Sequence, residues 1–133
     1  MIVNHVQTNY CAQIWPQVEG FLMEACKFGD EYTLDQIKVF ICTGQWMLLV
    51  AADNGKIYGA ATVNFLNMPN SRVAFVTAIG GKLISSKDTY GQMVDIFKQF
   101  GATKVQGAAR ESIARLWSRY GFKERYRIVE ADI

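Results

Sequence analysis

The chain is poor in the residues that build staples, linkers and metal sites. It has two prolines, Pro16 and Pro69, in 133 residues and no low-complexity tract, repeat or linker. One domain is therefore expected over residues 1–133. A domain near this size buries roughly two-thirds of the surface its unfolded chain exposes. The three cysteines, Cys11, Cys26 and Cys42, are odd in number and widely spaced, with no CxxC, which argues against a disulfide framework. His5 is the only histidine, so no Cys/His zinc spacing exists and no metal is expected. The opening MIVNHVQTNYC has no basic region ahead of a long apolar run and does not read as a signal peptide. The most apolar stretch, Trp46 to Ala52, is too short to span a bilayer. A soluble, cytoplasmic protein is the expectation.

What is present is a globular composition: 50% hydrophobic and 20% charged. The net charge of +2 conceals an uneven distribution. Residues 1–71 carry three basic and six acidic groups, a balance of −3, whereas residues 72–133 carry eleven and six, a balance of +5. A basic half favours an anionic ligand.

Periodicity predicts a strand over Met1–Val6 and a helix over Gln13–Lys27, with Pro16 in its first turn and Gly29 after its end. Thr33 is a candidate N-cap for a second helix through Ile41, with Asp35 in its first turn. A meander follows: Trp46–Ala52, the turn Asp53-Asn54-Gly55, Ile57–Leu66, a turn at Pro69-Asn70, and Arg72–Ile79. The glycine pair Gly80-Gly81 ends that strand. Ser85 or Ser86 caps a helix whose apolar stripe is Met93, Ile96, Phe97 and Phe100. A strand at Thr103–Ala109, a helix at Glu111–Tyr120 and a closing strand at Phe122–Ala131 complete the order. The last helix places Ile113, Leu116, Trp117 and Tyr120 on one face, predicting a core in which Trp117 is buried among them. The strand–helix–strand run predicts a parallel, neighbouring pair from Arg72–Ile79 and Thr103–Ala109.

This order resembles the GNAT (N-acetyltransferase-like) fold from end to end. The local match is Arg110 to Phe122, RESIARLWSRYGF, which is similar to that family's closing segment N-x-x-A-x-x-L-Y-x-x-x-G-F, with Leu116, Gly121 and Phe122 in register. The resemblance implies an α/β fold with a mixed central sheet of about six to seven strands and about four flanking helices. It also implies an acetyl-CoA site where the fourth and fifth strands splay. That site would take pantetheine along Val76, Ala78 and Ile79, and the pyrophosphate on Gly80, Gly81, Lys82, Lys87 and the following helix N-terminus. A helix N-terminus with free N–H groups is a general anion site. Two positions differ from the family pattern. The Q/R-x-x-G-x-G/A phosphate loop is absent from VTAIGGKLISSKDT, and Trp117 stands where the resemblance implies a tyrosine acid. The indole N–H only donates a hydrogen bond. Tyr120 is the alternative acid, and Arg110, in place of the family's asparagine, is a candidate phosphate contact. Glu31 is the candidate general base, with Asp30 and His5 as alternatives. The double glycine and closing helix also resemble bacteriophage proteins related to internal virion proteins.

The function these readings imply is acyl-CoA-dependent N-acetyl transfer to an amine such as a lysine side chain or polyamine. The alternative is a catalytically silent binding or assembly protein of the same fold, as in a phage virion. A protein partner, including a second copy, stays open. Nucleic-acid binding through Arg110, Arg115, Arg119, Lys123, Arg125 and Arg127, with Tyr120 and Tyr126 stacking on bases, ranks last because +2 is a small charge for that role.

Overall fold

A computed structural model describes residues 1–133. Its elements are β1 (Ile2–Val6), α1 (Thr8–Ala25), α2 (Leu34–Cys42), β2 (Met47–Asp53), β3 (Lys56–Met68), β4 (Ser71–Gly81), α3 (Lys87–Gln99), β5 (Lys104–Gly107) and α4 (Glu111–Trp117). Short 3-10 turns follow α1 at Cys26–Phe28 and α4 at Ser118–Tyr120. The architecture is α/β: one mixed sheet in the order β1-β2-β3-β4-β5, with helices on both faces.

The hairpins follow from turn chemistry. Asp53 pairs with Lys56, leaving Asn54 (φ 50°) and Gly55 (φ 79°) as a two-residue loop. Positive φ at both central residues matches the twist of the flanking strands. Met68 pairs with Ser71 around a second two-residue loop, Pro69-Asn70, in which neither residue has positive φ. β2 is apolar from Met47 to Ala52 because both of its faces are covered there. Leu48 and Val50 enter a core with Trp15, Val18 and Leu22 of α1 and Ile37 and Ile41 of α2. Met47, Leu49 and Ala51 face Met93 and Phe97 of α3. Period-2 alternation thus sends neighbouring residues into two cores. Each fully buried leucine contributes about 1.5–3 kcal/mol.

α1 begins earlier than its sequence suggests. Cys11, Trp15, Val18 and Leu22 form one buried stripe, so the helix runs back to Thr8 and Pro16 lies in its interior rather than its first turn. Packing of that stripe offsets the missing proline N–H. α2 starts as expected. The Thr33 hydroxyl accepts a hydrogen bond from Gln36 N at 3.2 Å, and Thr33 N donates in return to Gln36 Oε1 at 2.9 Å. At α3, Ser86 is the cap, accepting from Thr89 N at 3.2 Å.

β5 runs parallel to and beside β4, joined through α3, as expected of a strand–helix–strand crossover. The sheet has five strands rather than six or seven, because 122–133 forms none. No backbone hydrogen bond joins that tail to the body, and its residues beyond Phe122 are exposed. Alternating residues form a strand only when paired with a partner edge, and the tail pairs with none. No helix is long and apolar enough to cross a membrane.

Candidate functional site

The site arises from a defect in strand pairing. β4 and β5 pair over four rungs only, from Val73 with Lys104 to Val76 with Gly107. On its other side β4 stays paired with β3, but the register slips there: Val63 opposes Val76 while Thr62 opposes Ala78. Thr77 is therefore the extra residue of a β-bulge, which bends a strand and ends pairing. Its hydroxyl is held by the Thr62 carbonyl at 3.0 Å and the Thr62 hydroxyl at 2.7 Å. Beyond the bulge, Thr77–Gly81 continue with β3 alone, and β5 departs into Ala108–Arg110. The β5-facing peptide groups of β4 lose their ladder partners and become available to a ligand.

A cavity of about 300 Å³ fills the gap. Thr77–Gly81 form one wall, Ala108–Arg110 the other. Ile113, Leu116 and Trp117 of α4 also line it, as do Glu24 and Ala25 at the end of α1 and Phe28 just after it. The lining is mainly apolar, with Glu24 its one carboxylate and Arg110 its one cation.

Among the residues singled out from sequence, Val76, Ala78, Ile79, Gly80, Gly81 and Arg110 line this cavity. Lys82 and Lys87 do not line it, but both are exposed, lie between the end of β4 and the first turn of α3, and make no ion pair. The glycine pair is required by packing. A Cβ at Gly80 would collide with the carbonyl oxygen of Phe21 and stand 2.7 Å from its carbonyl carbon, so α1 rests directly on β4 there. Gly81 has φ +73° and lies against the Tyr58 carbonyl, a backbone conformation that L side chains rarely adopt.

Arg110 places its guanidinium over the Phe28 ring, 3.6 Å from the centroid. This cation–π contact joins the Ala108–Arg110 wall to the segment that follows α1. Trp117 is buried at 7% exposure, with its ring against Gly107, where a Cβ would stand 3.1 Å away. Leu116 departs from the expected buried face: it is 38% exposed and lines the cavity, and Trp117 is the one buried residue of the short α4. Tyr120 lies outside the cavity, 5.4 Å from the Tyr90 ring of α3. Burial raises the pKa of Tyr90 above its ordinary value.

Glu31 borders a separate pocket of about 30 Å³ behind the same wall, which shares Ala25, Thr77 and Ala78 with the cavity. Its carboxylate folds back over Gly29. Asp30 lines neither space and is exposed. His5 is remote, since β2 and β3 separate β1 from β4; its ring meets Phe100 edge-on at 5.2 Å, and burial lowers its pKa. Glu24 was not legible as a site residue. On α1 it is one charge beside Lys27, bonded at 2.9 Å, and only the splayed sheet brings it to the cavity.

No family model and no curated protein matches the sequence. Solved structures do match in shape. An aminoglycoside acetyltransferase from an uncultured soil metagenomic sample, in complex with sisomicin, superposes with TM-score 0.70 at 12% identity, over 98% of this chain and 95% of that one. The ribosomal-protein-alanine N-acetyltransferase of Brucella melitensis biovar Abortus 2308 gives 0.69 at 12% identity, over 100% of both chains. A "predicted acetyltransferase with acetyl-CoA" from Clostridium acetobutylicum gives 0.66 at 13% identity, over 98% and 94%. The fold is that of the GNAT acetyltransferases. The parting of the fourth and fifth strands that the resemblance implies is present here, while the closing strand expected at Phe122–Ala131 is not formed.

Proposed function

We propose that this chain binds acetyl-CoA in the β4–β5 cleft and transfers the acetyl group to an amine. The observation that carries the reading is the run of unpaired peptide groups on Thr77–Gly81, which faces an apolar channel beside the N-terminus of α3. An extended amide chain such as pantetheine satisfies such an edge, as an added strand does. Phosphate groups beyond it meet the Lys82 and Lys87 ammonium groups and the free N–H groups at the start of α3. The loop between is not the Q/R-x-x-G-x-G/A pattern, so these lysines take a larger share of the phosphate charge. Arg110 is a further cation in reach of the channel.

In the reaction the amine nitrogen bonds to the thioester carbonyl carbon and the C–S bond breaks. The products are an amide and the CoA thiol, with a proton from the amine ending on sulfur. Proximity of the two substrates supplies much of the rate. Glu24, at the α1 end of the cavity, attracts a cationic acceptor, and its exposed pair with Lys27 is weak enough to exchange. Glu31, behind the wall, remains the second carboxylate near this end. With Tyr120 held against Tyr90, the proton reaches sulfur through solvent.

Calorimetry with acetyl-CoA, followed by thiol release in the presence of spermidine or an Nα-blocked lysine, tests the proposal. Binding that weakens as salt rises, with amine-dependent thiol release, is expected. The double change Lys82→Ala with Lys87→Ala should weaken CoA about tenfold, equivalent to about 1.4 kcal/mol, and leave a neutral pantetheine fragment unaffected. Glu24→Gln should raise KM for the amine without changing CoA affinity. Trp117 in place of a tyrosine favours a second reading, a CoA-binding protein without transfer. Binding without thiol release would select it, and absence of CoA binding would leave only a binding or assembly role for the fold.

A further inference from the structure

Two threonines meet at the point where β4 slips against β3, and they stand in different places. Thr77 lines the cleft. Thr62, on β3, does not line it and is fully buried at 0% exposure. A hydroxyl buried so deeply has to find its partner inside the protein. The Thr77 hydroxyl donates to the Thr62 carbonyl at 3.0 Å, which leaves the Thr62 hydroxyl to donate the 2.7 Å bond between the two side chains. Each proton is used once, and no buried side-chain polar atom lacks a partner.

The flanks of the sheet demand a surplus residue here but do not choose which one it is. On one side Gly80 pairs with Ala60 and is pinned beneath the Phe21 carbonyl of α1. On the other side Ala74 pairs with Phe65, and both pack in the α3 core. Between those two pairs β4 runs through five residues, 75–79, where β3 runs through four, 61–64. One residue of β4 is therefore extra for as long as both flanks hold. Its position matters because strand residues alternate: a surplus at Val76 or at Ala78 turns a different set of peptide groups toward the cleft.

We infer that Thr62 is a positioning residue for the cleft: its hydroxyl fixes the surplus at Thr77 and so sets which β4 peptide groups are offered to pantetheine. This role rests on the reading of the cleft as an acetyl-CoA site. Thr62 acts only through Thr77, since it lies outside the cavity itself. Valine matches its shape but not its chemistry. A methyl group in the hydroxyl's place needs about 3.5 Å from the Thr77 oxygen, where the hydroxyl stands at 2.7 Å. Thr77 is then pushed off, and the surplus is free to migrate along β4.

The test compares Thr62→Ser, which keeps the hydroxyl and gives up a buried methyl, with Thr62→Val, which keeps the shape and gives up the hydroxyl. Thr62→Ala takes the place of the valine variant if that chain does not fold. Both changes should lower the midpoint of chemical denaturation, so stability by itself does not separate them. Calorimetry should: the serine variant is expected to bind CoA and a pantetheine fragment within about twofold of the parent, and the valine variant about fivefold to tenfold more weakly, the size of one hydrogen bond. Nuclear magnetic resonance reads the bulge with no ligand present. Cross-strand contacts of Val63 with Val76 and of Thr62 with Ala78 should persist in the parent and in the serine variant, and give way to more than one pairing in the valine variant. A valine variant that keeps the parent's pairing overturns the inference whatever its affinity. So does a serine variant that loses that pairing, and so does a CoA affinity that survives the change of pairing. A parent that binds no CoA removes the reading of the cleft, and the resonance measurement then decides by itself whether Thr62 holds the bulge.

Discussion

Residues 1–100 and residues 101–133 are held together by different means. Of the 27 buried residues, all but Trp117 belong to the first region. There, two layers of helix pack on a four-strand antiparallel ladder, and each core residue is supported from several elements. The second region has four rungs of parallel pairing, a seven-residue helix and one buried tryptophan. The cleft lies on the boundary between them, with one wall from each. A rigid wall facing a lightly pinned one suits a site that admits a long flexible ligand, because elements with little buried apolar surface open at low cost.

Three changes would break or sharpen this contrast. The largest effect is expected at Gly80. Gly80→Val drives a side chain into the Phe21 carbonyl, so α1 and β4 must separate in the well-packed region. A loss of about 3 kcal/mol or more, the upper end for overpacking, should appear in chemical denaturation as a single cooperative transition at lower denaturant. A small loss would mean that α1 is not seated on β4.

Trp117→Ala should cost about 3 kcal/mol locally, at the low end for a buried aromatic because its cavity opens into the cleft. Hydrogen exchange should show residues 104–120 losing protection while β2, β3 and β4 keep theirs. Uniform loss across the sheet would contradict the division of the molecule into two regions.

The smallest effect is expected at His5, at the periphery of the well-packed region. Burial beside Phe100 lowers its pKa, so the unfolded chain binds a proton at a pH where the folded chain still excludes it. Stability is therefore complete above the ordinary value of about 6.5 and declines as pH falls through it toward the lower folded value. His5 is largely exposed, so solvent screens the effect. Thermal melts from pH 7.5 to pH 5 should show a slightly shallower decline for His5→Gln than for the parent. Equal slopes would show that the ring is fully solvated.

Legibility from sequence followed the same division. Both hairpins, the capped start of α2, the crossover through α3 and the burial of Trp117 were readable, because turn chemistry, capping and period are local. The start of α1 was misplaced because Pro16 is a strong local signal that a buried stripe overrode. At the cleft, Val76, Ala78 and Ile79 were singled out through the resemblance to the GNAT fold rather than by any local pattern, and they line the cavity. Thr77 and Glu24 were not singled out, since a bulge and a helix end leave no mark in composition.

The amino-acid order by itself determined the elements, their sequence along the chain and the parallel crossover, because each depends on contacts among near neighbours and on the handedness of short connections. Tertiary structure alone decided three matters. It gave Gly80 to the packing of α1, through a carbonyl that is distant in sequence. It placed the bulge at Thr77, where a one-residue slip against β3 parts β4 from β5. It left residues 122–133 unpaired, because the alternation that makes a segment a strand says nothing of where its partner edge lies.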